Sequence, residues 1–347
     1  MNKLYFRYLA SLYLKDFLIL LFAMVLMFAF IDILVNHSKL NFNSNLFLLY
    51  FLFTCFSAIA YVLPICQILA FIWMKISLIK NNELIALYSL GLSKNQILFA
   101  AFLLSFFISL ISICANFTSF AYAESYKNNI LKNSYVESKR DDIFFKYKED
   151  FFYIQRYENN QIFNVKIFSM KDEKIKKIIK AQSAEFKNKE WNFKNVNVIE
   201  FLDDAQLGKQ AIKTNNYYEK ITLDNFTPSI LQNFGTSNIS LKDAYFYLKN
   251  INKQSSVIRA NIYKLSIFLL YAPFLSIILF YYLPSLARYE DLSIKGLVLT
   301  CASLLIYGGF FLLLRLATND SLNPEIAILM PVMFIIVYSL ILFIKNK

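Results

Sequence analysis

The residue types that usually carry chemistry are scarce in this chain, and their spacing does not suit it. One histidine, His37, excludes a His-rich metal site. The four cysteines, Cys55, Cys66, Cys114 and Cys301, all lie inside apolar runs and include no C-x-x-C pair, so they read as packing residues. The six glycines are scattered, and none opens a G-x-x-x-x-G-K loop with which the chain could hydrolyse ATP. H-E-x-x-H and G-x-S-x-G are absent too. No catalytic residue, metal ligand or bound cofactor is therefore expected. The nearest candidate is Asp32, an ionisable group in an apolar run. It sits within about a turn or two of the end of that run, where water or Lys39 can reach it. A proton relay or an intramembrane protease would need a second group that the sequence does not supply.

A different kind of work is written in residues 81–93, a short amphipathic piece between two long apolar runs. The spacing predicts a helix over about 83–90. On it Leu84, Leu87 and Tyr88 share one face at i, i+3, i+4. Gly91 can end that helix in the left-handed conformation, and Ser93 with Gln96 forms a capping box for the next one. Two readings are open on pattern alone. One is an elbow helix lying at a lipid interface; the other is a knob that docks into a partner's groove.

The elements around this piece are set by hydropathy. The chain is 57% hydrophobic and 17% charged, with 36 phenylalanines among 347 residues. A soluble protein of this length could not bury so much apolar surface, which points to a polytopic membrane protein. Apolar runs at 17–35, 46–74, 97–122, 265–287, 296–314 and 326–344 are each long enough to span a bilayer as a helix. Residues 1–16 look like an interfacial helix leading into the first run. The excess of positive charge, +12, is spread along the chain and fits anionic lipid head groups rather than nucleic acid. Lys3, Arg7, Lys15, Lys75, Lys80, Lys94, Arg288, Lys295, Lys345 and Lys347 fall on one side of the membrane, and Lys39 and Arg315 on the other. By the positive-inside rule both termini are cytoplasmic and the long polar insert is on the far side.

The expected division is 1–122, a membrane half of three spans; 123–264, the insert; and 265–347, a second half of three spans. Within the insert, strands are predicted over 143–148, 151–156, 162–170, 175–181 and 191–201, with a weaker one over 212–223. That spacing suggests a sandwich or jelly roll. A helix over 240–251 follows, with Ser240 as N-cap and Asp243 three residues on.

The run Leu63-Pro64, then Asn82-Glu83-Leu84-Ile85-Ala86-Leu87-Tyr88-Ser89-Leu90-Gly91-Leu92-Ser93, resembles the signature of the LptF/LptG permeases. The resemblance extends to the three-plus-three architecture with its insert. It implies an α-helical polytopic protein of the bacterial inner membrane with a periplasmic β-jelly-roll domain. It also implies the permease subunit of an ABC transporter that extracts lipopolysaccharide and passes it to a periplasmic bridge of the LptC/LptA type. ATP and Mg would be used by a cytoplasmic LptB-like ATPase dimer, alongside a second, LptF-like permease. Phe151-Phe152-Tyr153-Ile154-Gln155-Arg156 and Trp191 are more similar to the LptG branch. LptG members often carry a lysine within span one; here Ala29 precedes Phe30-Ile31-Asp32, so either Lys39 takes that role or the branch is the other one.

Carried over, residues 83–90 are the coupling helix. Glu83 would meet a basic residue of the ATPase; Leu84, Leu87 and Tyr88, with Ala86 beside them, would fill its groove; and Gly91 would allow the turn. Lys39, Arg259, Lys264 and Arg315 are the cations closest to the outer interface and could pair with lipid phosphate. Phe152, Ile154, Phe163, Val165 and Phe193 would line an acyl-chain slot in the jelly roll, though they suit a plain β core equally. Two other classes stay open: an ABC permease that transmits motion to a periplasmic domain without passing substrate, and a membrane anchor that presents a β domain and transports nothing.

Overall fold

Residues 2–36 contain neither glycine nor proline, and in the computed structural model of the chain they form one uninterrupted helix, α1 (Asn2–Asn36). The structure describes residues 2–39, 44–131, 140–147, 150–158, 161–171, 174–187, 190–201, 212–217, 228, 231, 239–250, 255–284 and 291–346. At about 1.5 Å per residue α1 outruns a hydrocarbon layer of roughly 30 Å. The segment expected as an interfacial helix is thus the first part of the span helix itself. Next come α2 (Ser44–Lys80), α3 (Glu83–Ser89), α4 (Lys94–Ala115) and α5 (Ala123–Leu131). After the strands follow α6 (Leu241–Asn250), α7 (Ser256–Leu265), α8 (Tyr271–Tyr282), α9 (Leu292–Thr318) and α10 (Met330–Lys345).

Among the described residues, six helical segments are long and apolar enough to cross a membrane: Leu4–Asn36, Asn45–Lys80, Lys94–Ala115, Ser256–Tyr282, Leu292–Thr318 and Glu325–Lys345. Each overlaps a predicted span. The fourth is α7 and α8 joined by the 3-10 turn Phe268–Leu270. It stops at Tyr282, short of the expected 287, because Leu283 is extended (φ −77°, ψ 129°) ahead of Pro284, which disfavours helix in the residue before it.

The chain divides into two units, Met1–Lys127 with Arg259–Lys347, and Asn128–Ile258. Residues 123–127 and 259–264, assigned to the insert from sequence, belong to the helical unit. Its core is built from Tyr13 and Phe17 of α1, Ile68, Phe71 and Met74 of α2, Ile97 and Leu98 of α4, and Tyr271 and Phe280 of α8. Polar groups inside it tie helices together: Gln67 Nε2 donates to Ser105 O (3.1 Å) and Ser109 Oγ (3.2 Å), and Ser109 Oγ donates to Leu269 O (3.1 Å). Outside, Phe22, Phe30, Leu34, Leu305 and Phe334 are exposed, a surface that water would not support and lipid would.

The second unit holds a six-stranded antiparallel sheet in sequence order: β1 (Arg140–Tyr147), β2 (Asp150–Glu158), β3 (Gln161–Lys171), β4 (Lys174–Lys187), β5 (Glu190–Phe201) and β6 (Ile212–Tyr217). All five strong strand predictions and the start of the weak one are met; positions 218–223 of the latter lie outside the described residues. A jelly roll divides its strands between two sheets. Here the described strands form a single meander, because only two residues separate β1 from β2, β2 from β3, β3 from β4, and β4 from β5, which enforces pairing of sequence neighbours. Before α6, the Asp243 N–H donates to Ser240 Oγ (3.1 Å), the predicted cap.

One line crosses this sheet: Asp142, Gln155, Asn164, Gln182 and Asn195, which face one another in adjacent strands. Asp142, Asn164 and Asn195 are left-handed, at φ 54°, 52° and 53°. Asn164 Nδ2 donates to Gln155 Oε1 and Asn195 Nδ2 to Gln182 Oε1, each at 2.7 Å. Burial changes phase at this line. Ile154 and Tyr157 are both buried, as are Ile162 and Val165, Ala181 and Ala184, and Phe193 and Val196. In β2 to β5 the burial alternation therefore shifts by one residue at this line while the pairing register is kept, so the same face stays inward.

Candidate functional site

The helical unit carries an apolar cavity of about 510 Å³ that is open on one side, with Met27, Ile31 and Phe311 of its lining exposed. Met24, Met27, Phe28 and Ile31 line it from α1, at the i, i+3, i+4, i+7 spacing of one helix face. Tyr61, Val62 and Ile65 come from α2, and Leu304, Tyr307 and Phe311 from α9. Glu124 and Lys127 of α5 form its polar edge, one helical turn apart. A second cavity of about 600 Å³ lies between the same three long helices, near Lys80 and Asn81. There α2 and α9 come very close: a Cβ on Gly296 would sit 2.6 Å from Ile76 Cδ1.

The polar edge is a network of two anions and two cations. Lys127 Nζ lies 3.0 Å from Asp32 Oδ1, and both side chains are mostly buried. The Tyr50 hydroxyl donates to Asp32 Oδ2, and Asn36 Nδ2 to Asp32 O (3.0 Å). Beside them, Tyr61 OH donates to Glu124 Oε2 (2.6 Å), and Lys264 Nζ donates to Tyr61 OH (3.4 Å) while lying 5.0 Å from its ring centroid. Tyr307 OH donates to Tyr61 O (2.8 Å), tying α9 to α2 at the cavity wall. An apolar chamber rimmed by paired charges can take a molecule with an acyl part and an anionic part, provided the anion competes for a cation already held.

The four cations singled out from sequence fare differently. Lys264 is part of this edge. Arg259 Nε pairs with Glu325 Oε1 at 3.2 Å. Arg315 is exposed in the last turn of α9. The side chain of Lys39 lies outside the described residues. Asp32, which the sequence places within reach of water or Lys39, pairs with Lys127. Sequence reasoning missed Lys127, Glu124 and Tyr61. The signal available was Glu124 and Lys127 at i, i+3 immediately after an uncharged span.

The helix at 83–89 needs a correction. It is real, and its flanks match the sequence: Gly91 is left-handed (φ 81°), and Ser93 and Gln96 exchange both capping-box bonds. But Leu84 (0% exposed) and Leu87 (8%) are buried in the chain's own core, with Tyr88 packed against it, so they cannot fill a partner's groove. The outward side is Ile85, Ala86, Ser89 and Leu90. The helix is amphipathic as its spacing predicts, but its apolar face packs into the chain's own core instead of a partner's groove. Glu83 Oε2 accepts a 2.6 Å bond from Tyr8 OH of α1, a contact within the chain.

In the β unit, Phe152, Ile154, Val165 and Phe193 are buried on the inward face. Phe163 is only half-buried and does not belong with them, because the shift at Asn164 turns Ile162 inward in its place.

Among the described residues, six membrane-length helices with a β sheet inserted between the third and fourth define a polytopic membrane protein with an inserted β domain. A family model described as lipopolysaccharide export system permease LptF/LptG matches residues 7–345, and the chain belongs to that family. It is thereby a component of a lipopolysaccharide transporter rather than an enzyme. No curated relative matches the chain.

Proposed function

We propose that the chain is the LptG-like permease of an ABC exporter in the bacterial inner membrane. It draws lipopolysaccharide from the outer leaflet and passes it to an LptC/LptA-like periplasmic bridge. A cytoplasmic LptB-like ATPase dimer uses ATP and Mg, and an LptF-like permease completes the membrane part. Both termini are cytoplasmic and the β unit is periplasmic. The observation that carries this reading is the cavity between α1, α2 and α9, whose apolar wall and paired-charge rim suit acyl chains and phosphate respectively. The outward side of α3 is the face offered to the ATPase, and the inward face of the β unit is the onward path for acyl chains. Lys127, beside Asp32, supplies a cation at the end of α1, where the chain itself has Ala29 in place of lysine. The resemblance of Trp191 and the run 151–156 to the LptG branch is what favours that branch here.

A detergent pull-down of the full chain with mass spectrometry tests this. An ABC ATPase and a second permease of like architecture are expected. Recovery of the chain without an ATPase favours the anchor reading.

A further inference from the structure

The coupling helix α3 hangs between α2 and α4, and both of these are hydrogen-bonded to the same place. That place is the C-terminal end of α8. From α2, Lys75 Nζ donates to Phe280 O and Leu283 O, at 2.5 Å each, and lies 4.2 Å from the Phe280 ring centroid. From α4, Asn95 Oδ1 accepts from Tyr281 OH, and Asn95 Nδ2 donates to Phe343 O of α10 (3.1 Å). Lys75 is 2% exposed. A buried cation is costly where an apolar side chain would pack freely. It is retained here by helix-end carbonyls, which carry partial negative charge and have no partner within their own helix. Leu84 and Leu87 of α3 belong to the same buried cluster as Phe280 and Leu283. Phe280, Tyr281 and Leu283, at and just past the end of α8, are thus held from both flanks of α3.

We propose that the end of α8, at residues 280–283, is where movement of α3 enters the membrane bundle, with Lys75 and Asn95 as positioning residues that deliver it. The proposal rests on the coupling role given to α3 above. It selects α8 among the helices near α3, and α8 is the lower part of the span that directly follows the β unit in the chain. A push on α3 cannot move α2 and α4 without displacing this end. In this account the two polar ties convert a local displacement at the ATPase into displacement of the fourth span.

The test uses the full complex of this chain, the second permease and the ATPase, reconstituted in proteoliposomes loaded with purified lipopolysaccharide. ATP hydrolysis and lipid release are measured together. Tyr281→Phe removes one hydroxyl, and Lys75→Met removes the cation at nearly constant volume. In both, hydrolysis and complex assembly are expected to persist while lipid released per ATP falls roughly tenfold, as for loss of a typical coupling energy. Lys75→Arg, which restores the donors, should recover most of the ratio. If Lys75→Met does not assemble, Tyr281→Phe decides. A normal ratio in Tyr281→Phe overturns the proposal while leaving the permease reading intact. Absence of ATP-driven lipid release in the unaltered complex overturns the permease reading itself.

Discussion

Asp32 and Lys127 meet across 95 positions of sequence, and each gives the other's charge a reason to stay inside the helical unit. A lone carboxylate at the end of a membrane span is expensive; a carboxylate bonded to an ammonium and a tyrosine hydroxyl is not. Removing one partner of a fully buried pair costs about 3–5 kcal/mol, and about 2 is expected for this partly screened one. Asp32→Asn should therefore lower the thermal midpoint of the detergent-solubilised chain. Asp32→Asn combined with Lys127→Met should recover part of the loss, since neither charge is then unpaired. Additive losses in that cycle would mean the two residues act independently. No local pattern could have revealed this pair. Asp32 was visible as an oddity in an apolar run, but its partner depends on how α5 returns to α1, which periodicity does not encode.

At the scale of elements, the two faces of α3 separate two roles. Leu84→Ala empties a fully buried site and should cost about 2–4 kcal/mol whether or not a partner is present. Ile85→Asp and Leu90→Asp change exposed positions and should alter the chain's own stability by less than about 0.5 kcal/mol. Their expected effect is on recovery of the ATPase in a pull-down, which should fall sharply. Full ATPase recovery with both outward variants would remove α3 as the docking element. The local features of this helix were readable because caps and glycine turns are set by neighbours in sequence: Ser93 with Gln96, and Gly91. Which side faces inward was not, because two long flanking helices decide it. The sheet shows the same limit. Strand positions followed from alternation, but the phase shift at Asn164 and Asn195 depends on left-handed backbone states. Its trace in sequence is slight: the polar pairs Gln155-Arg156 and Lys194-Asn195 interrupt otherwise regular alternation.

For the whole molecule, hydropathy carried most of the architecture. A bilayer requires apolar helical runs of nearly fixed length, so six spans could be counted without any knowledge of their packing. The same uniformity hides the chamber, since a residue facing lipid and one facing a cavity are both apolar. Phe311 and Phe334 are indistinguishable by type and both exposed, yet only Phe311 lines the cavity. The central claim is that the cavity between α1, α2 and α9 is where lipopolysaccharide sits during export. A photocrosslinking amino acid placed singly at Phe311 or at Phe334, in cells making lipopolysaccharide, tests it most directly. The account predicts a lipopolysaccharide adduct at position 311 and little or none at 334. Equal adducts at both positions, or none at 311 in a correctly assembled complex, would contradict it.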